Sequence, residues 1–213
     1  MNYWGLFNYF FGAILTISVL SAAFKYAKSN QEEDGTFLYK REQWVILALL
    51  LAKSIFLTWM QYRVWSASEI GKTLLTSSFE KNSLLPGFFS IFDFRGGYFT
   101  FYALTHFWLA FLLALLCAYL WKFFLIFLKN RNSRFLMPGE YRLGFICALA
   151  SGWPGFVVFL PLAFLMIIPV SVVRLIIGIK YTTIGYPMVL SAVFSIIFQN
   201  SLTEFFNLGV LRV

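Results

Sequence analysis

The chain has 213 residues, of which 60% are hydrophobic and 12% charged, and a net charge of +8. A soluble globule carries about a quarter charged residues, so this composition excludes an ordinary soluble domain. The basic residues stand in short stretches between apolar runs, which fits the positive-inside bias of membrane proteins and not a nucleic-acid-binding face.

The run 3–24 contains no Lys or Arg, so it lacks the basic start of a signal peptide. It reads as a first transmembrane helix, retained in the protein, with Tyr3 and Trp4 as an aromatic anchor. Residues 25–42 form a polar connection with four basic and four acidic side chains. A second span follows at 44–62, closed by Trp59, Tyr62, Arg63 and Trp65.

Lys53 stands near the middle of that span, about ten residues or ~15 Å from either end. A lysine side chain cannot snorkel that far, and a charge at this depth costs at least ~2.5–3.5 kcal/mol. Such residues face a bundle interior or a polar pathway. A structural pairing with a carboxylate or with backbone carbonyls is the plainer reading.

Residues 66–97 are the sizeable extramembrane segment. Ile70, Leu74 and Leu75 give it a short apolar face among Glu69, Lys72 and Glu80, which predicts an interfacial helix. Pro86-Gly87 marks a turn, and Phe88, Phe89, Ile91, Phe92 and Phe94 form a patch for lipid or a partner. A long third helix begins at 98 and crosses the bilayer to about 121. It carries His106, which reads as a hydrogen-bonded packing residue or, less simply, as a proton carrier. Residues 129–142 are a short basic connection in which Glu140 is the sole acid.

From 143 to 173 there are 31 residues without a charge, between Arg142 and Arg174. A straight helix of that length would measure ~46 Å, against a hydrocarbon core of ~30 Å. The sequence interrupts it at Gly152-Trp153-Pro154-Gly155. A kinked fourth span over 143–168 is the favoured reading. The alternative is a re-entrant half-helix turning at Trp153, Pro154 and Gly155. Either version needs neighbours to satisfy the freed carbonyls. The last span is 187–206, with Pro187 in its first turn, where no backbone donor is lost.

The fold class is therefore an all-α polytopic membrane protein. It is a single membrane domain over 1–213, a bundle of about five helices with the fourth interrupted. The apolar runs do not alternate, which excludes a β-barrel. Small residues recur every four positions at Ala110, Ala114 and Ala118 and at Gly144, Ala148 and Gly152. This pattern lets membrane helices approach closely, so the third and fourth helices are expected to pack along these stripes, in reversed order. Ser191 and Ser195 repeat the spacing in the last helix.

The chemistry is sparse. One histidine excludes a multi-His metal site and a bis-His haem within the chain. No Gly-x-Ser-x-Gly, His-Glu-x-x-His, Cys-x-x-Cys or phosphate-binding loop is present. Cys117 and Cys147 lie inside spans and read as small packing residues. No cofactor, metal or catalytic residue is expected.

The sequence thus points to a non-catalytic membrane subunit of a larger assembly, of secretion, transfer or respiratory type. Its partners would be the lipid bilayer and other membrane subunits or copies of itself. The alternative is a small transporter or channel using a polar site around Lys53, His106 and the broken helix. A lipid-modifying enzyme is the weakest reading, because no paired acid and base can be located. The expected location is a bacterial inner membrane. An outside amino terminus and a cytoplasmic carboxyl terminus place ten Lys or Arg inside and six outside.

Overall fold

A computed structural model of the chain describes residues 3–29, 40–78, 90–131, 136–137, 139–178 and 183–205. The side chains of Tyr3 and Trp4, the turn at Pro86-Gly87, and Phe88 and Phe89 lie outside the described residues. Among those described, all regular structure is helical. The helices are α1 (Tyr3–Ser29), α2 (Lys40–Ser66), α3 (Glu69–Thr76), α4 (Gly97–Arg131), α5 (Glu140–Ser151), α6 (Gly155–Leu165), α7 (Ile167–Ile176), α8 (Gly185–Ile197) and α9 (Gln199–Phe205).

Four stretches are long and apolar enough to cross a membrane: Phe7–Lys28, Lys40–Ser66, Gly97–Arg131 and Gly155–Ile176. This is consistent with an α-helical membrane protein. The first three contain most or all of the expected runs 3–24, 44–62 and 98–121. Hydroxyls inside them are satisfied locally: Thr16 and Ser18 each donate to the carbonyl four residues back, at 2.8 and 2.9 Å. Such back-bonding lets a polar side chain sit in an apolar helix.

The fourth and fifth runs differ from expectation. Residues 143–168 are not one kinked span. Helix α5 ends at Gly152, whose φ of +62 suits glycine, and the chain turns through Trp153 and a cis peptide to Pro154 before α6 starts at Gly155. The direction after the turn is fixed by Trp121 of α4. Its Nε1 lies 3.1 Å from where a Cβ on Gly144 would sit, and its ring meets Phe159 and Phe164 at centroid distances of 6.1 and 6.0 Å. In a straight helix Phe159 would be ~22 Å beyond Gly144 and Phe164 ~30 Å beyond. One indole can touch all three positions only if α6 doubles back beside α5. The break is therefore a hairpin, and α5, twelve residues or ~18 Å long, does not cross a ~30 Å core. The last run, 187–206, is divided at Phe198 into α8 and α9, and α8 with 13 residues is also short.

The contacts group the described residues into two compact units, one of those up to Leu50 and from Leu112 on, the other of Leu51–Phe111. In the first, α8 packs against α1, α5 and α6. Ten of the twelve residues of α5 are buried, so it is covered all round. Gly185 lies beside Tyr26 and bonds Glu140, while the space beside Gly155 holds Gln199 and that beside Gly12 holds Ile196. Helices α5 and α8 hence run parallel, with α1 antiparallel to both. In the second unit, Trp65 stacks on Tyr98 and meets Phe99 and Tyr102. Helix α3 packs on the start of α4 and is capped by Ser68, whose Oγ accepts from Gly71 N–H at 3.0 Å. Ile70 is exposed, with Leu74 and Leu75 half-buried. Of the Phe-rich patch, Ile91 and Phe94 are exposed and Phe92 is buried.

Candidate functional site

The densest polar construction among the described residues is centred on Glu140, at the first turn of α5. The residue is fully buried. Its carboxyl group accepts three hydrogen bonds. Tyr26 Oη–H donates to Oε1 at 2.6 Å, Gly185 N–H donates to Oε1 at 2.8 Å, and Met137 N–H donates to Oε2 at 2.8 Å. Gly185 opens α8, so the acid also faces the positive end of that helix. Tyr26 is equally buried and lies edge-on to Tyr186, at a centroid distance of 5.4 Å. One side chain thereby ties together α1, the turn before α5, α5 itself and the start of α8.

The same end of the unit carries the cations. Arg174 Nη1 donates to Thr183 Oγ1 at 2.7 Å, and its Cζ lies 5.6 Å from the Tyr186 ring centroid. Arg142 and Lys129 lie over the Tyr141 ring at 5.7 and 5.5 Å. Lys25 pairs with Glu42, which is buried, and so joins the end of α1 to the start of α2. Glu42 Oε2 has no hydrogen-bond partner among the described residues.

Lys53 and His106 belong to the second unit. The helix around His106 widens to a π-turn at Leu104–Trp108, and Ser54 Oγ–H donates to the Phe107 carbonyl at 3.5 Å. The neighbour of Lys53 thus meets the neighbour of His106. The His106 ring stacks on Tyr102 at 4.1 Å, and its Nδ1 lies 3.1 Å from both the Tyr102 carbonyl and Thr105 Oγ1. His106 is exposed and Lys53 is partly buried.

The small residues are distributed unevenly. Ala114, Ala118, Gly144, Ala148, Ser191 and Ser195 are buried, whereas Ala110 is half-buried and lies in the other unit. A Cβ on Gly144 would meet Leu125, Met188 and Trp121. Tyr119 and Lys122 meet the ring of Phe145, at 5.0 and 5.5 Å. This register sets Gly144 against the turn holding Trp121 and Leu125, one helical turn away from Ala118. Gly152 has no atom near its missing Cβ; it serves the turn conformation rather than close packing. Trp121 Nε1, Ser191 Oγ and Ser195 Oγ are buried without a hydrogen-bond partner among the described residues. Cys117 and Cys147 are free thiols.

Comparison of the chain with protein-family models, with curated proteins and with solved structures gives no match.

Glu140 escaped the sequence reading because it stands in a basic connection, where an acid reads as a solvated counter-charge. A signal was present: it is the acid at the head of the longest uncharged run in the chain. Thr183, Tyr186 and Tyr26 carry no sequence mark of their own.

Proposed function

We propose that the chain is a non-catalytic integral membrane subunit that contributes helix packing and scaffold to a larger membrane-embedded assembly. The observation that carries this reading is the small share of each spanning helix that its own chain covers. Between 17 and 22% of the most apolar window of each candidate span is buried. Along α4, Leu112, Leu116, Leu120, Phe123 and Phe127 are exposed on one stripe, opposite the buried Ala114, Ala118, Trp121 and Leu125. The polar contacts of the first unit, in contrast, are spent on holding helices to one another. Rigid inside and apolar outside is the character of a scaffold that finds its partners within the bilayer.

Purification from native membranes in a mild uncharged detergent tests this. Stoichiometric co-purification of other membrane proteins is the expected result. A lone oligomer that conducts solute in liposomes, with flux abolished by Lys53→Met, would favour the transporter reading. That second reading draws on the π-turn at Leu104–Trp108 and the Ser54 contact beside Lys53.

The hairpin changes the proposed topology. Arg174 stands at the same end as Lys25, Lys129 and Arg142, and gathering these cations on the cytoplasmic side strengthens the positive-inside bias. The amino terminus then lies outside, as expected from the sequence. Helix α8 runs away from the basic end, so Gln199 lies toward the outer face, opposite to the side first expected for the carboxyl terminus. Cysteines introduced at Asn130 and Ile177 should both resist impermeant thiol reagents in intact cells, while one at Ser68 should react. Labelling of Ile177→Cys from outside would restore the full fourth span.

A further inference from the structure

Helices α7 and α8 enclose between them a groove of about 520 Å³. Met166, Val170, Val173 and Leu190 form most of its apolar wall, and Arg174 and Tyr186 stand at one end of it. Arg174 is the charged residue of the lining. It lies two residues before the end of the Gly155–Ile176 span, at the depth where acyl chains give way to headgroups. The surrounding surface of α7 is apolar and open: Val172, Leu175 and Ile176 are all exposed. In a bilayer the groove therefore faces lipid.

The guanidinium is held ready but not consumed. Thr183 takes one donor and the Tyr186 ring supports its face. An arginine has five N–H donors in a fork that matches a phosphate, so most of its capacity is unused among the described residues. The carboxyl of Glu140, which caps the start of α8 at Gly185, is already filled by Tyr26, Gly185 and Met137. From Arg174 to Met166 the groove follows two turns of helix, ~12 Å. An acyl chain, linear and wholly apolar, matches both that length and the Met166, Val170, Val173 and Leu190 lining.

We propose that this groove binds one anionic glycerophospholipid, with its phosphodiester on Arg174 and an acyl chain along Met166, Val170, Val173 and Leu190. Basic pockets between membrane helices at the cytoplasmic face select anionic headgroups by this physics. The inference does not depend on the subunit reading, since a transporter could carry the same site.

The test is native mass spectrometry of the full chain in an uncharged detergent, titrated with phosphatidylglycerol or with phosphatidylcholine of the same chains. One phosphatidylglycerol should be retained in preference to phosphatidylcholine by about fivefold, which is what one arginine at the headgroup plane supplies. Arg174→Gln should abolish the preference while leaving weak binding of both lipids. Leu190→Trp, a change at a half-exposed position that fills the groove, should remove binding of both. Chainless glycerophosphate should not compete. Equal retention of the two lipids by the wild type, an unchanged preference in Arg174→Gln, or competition by glycerophosphate would each overturn the proposal. So would a protein partner that occupies the groove and is released by Leu190→Trp.

Discussion

Glu140→Ala is expected to be the most damaging single substitution in the first unit, lowering stability by about 3–5 kcal/mol. The magnitude follows from what is left behind. Tyr26 Oη and Gly185 N–H are buried and would lose their acceptor, at ~1–3 kcal/mol for each unmet donor. Met137 is exposed, so its N–H would find another partner at little cost. A cavity the size of the lost carboxyethyl group adds to the total. In lipid the penalty cannot be relieved by bulk water, because the donors sit inside a helix cluster.

Graded variants separate this mechanism from general damage. Glu140→Gln keeps an acceptor for Tyr26 and Gly185 and disturbs mainly the exposed Met137 contact, so it should cost about 1–2 kcal/mol. Tyr26→Phe removes one donor and should cost about 1 kcal/mol. In the Glu140→Ala background, Tyr26→Phe should cost clearly less than it does in the wild type, since the Glu140 acceptor is already gone. Reversible denaturant unfolding in mixed micelles reads the wild type and all four variants. If the two substitutions add independently, the hydrogen bond is not what binds α1 to α5 and α8.

The contrast between Glu140 and the Gly152–Gly155 break shows how far the sequence reaches. Long uncharged runs that do not alternate announce helices in a membrane, because a helix satisfies its backbone within one segment, and three spans were legible on that ground alone. The position of the break was equally plain. Its consequence was not, because Gly-Trp-Pro-Gly serves a kink and a reversal alike. The reversal is decided by packing: α8 offers room to both α5 and α6, and Trp121 bridges them. Glu140 was hidden for a different reason. A charge in a connection looks solvated until the partner that buries it is known. That partner, Tyr26, lies 114 positions away. Lys53 shows the converse: a charge deep in a span is visible in the sequence, but its surroundings are not. The small-residue stripes were visible as well, yet their register was set by large neighbours.

Gly144 is where that register can be tested. Gly144→Leu should destabilise the first unit by about 3 kcal/mol or prevent its assembly, at the top of the usual overpacking range. A Cβ there would stand 2.4 Å from Leu125 Cδ1, 3.0 Å from Met188 Sδ and 3.1 Å from Trp121 Nε1. None of these can yield easily. Leu125 and Met188 are almost wholly buried, and Trp121 is wedged against Phe124, Phe159 and Phe164. Enlarging Gly144 therefore pushes α4, α8 and the α5–α6 hairpin apart together. Gly155→Ala is the matched control. Its nearest neighbours are Gln199 atoms at 3.6 to 3.9 Å, ordinary contact, and a flexible side chain can adjust. It should change stability by less than about 0.5 kcal/mol. The pairing first read from the stripes set Gly144 against Ala118, whereas the observed register brings Trp121 and Leu125 there. Shaving Leu125 to Ala should accordingly relieve part of the Gly144→Leu defect, and Ala118→Gly should not. Relief by Ala118→Gly and none by Leu125→Ala would put the helices one turn from where the structure has them.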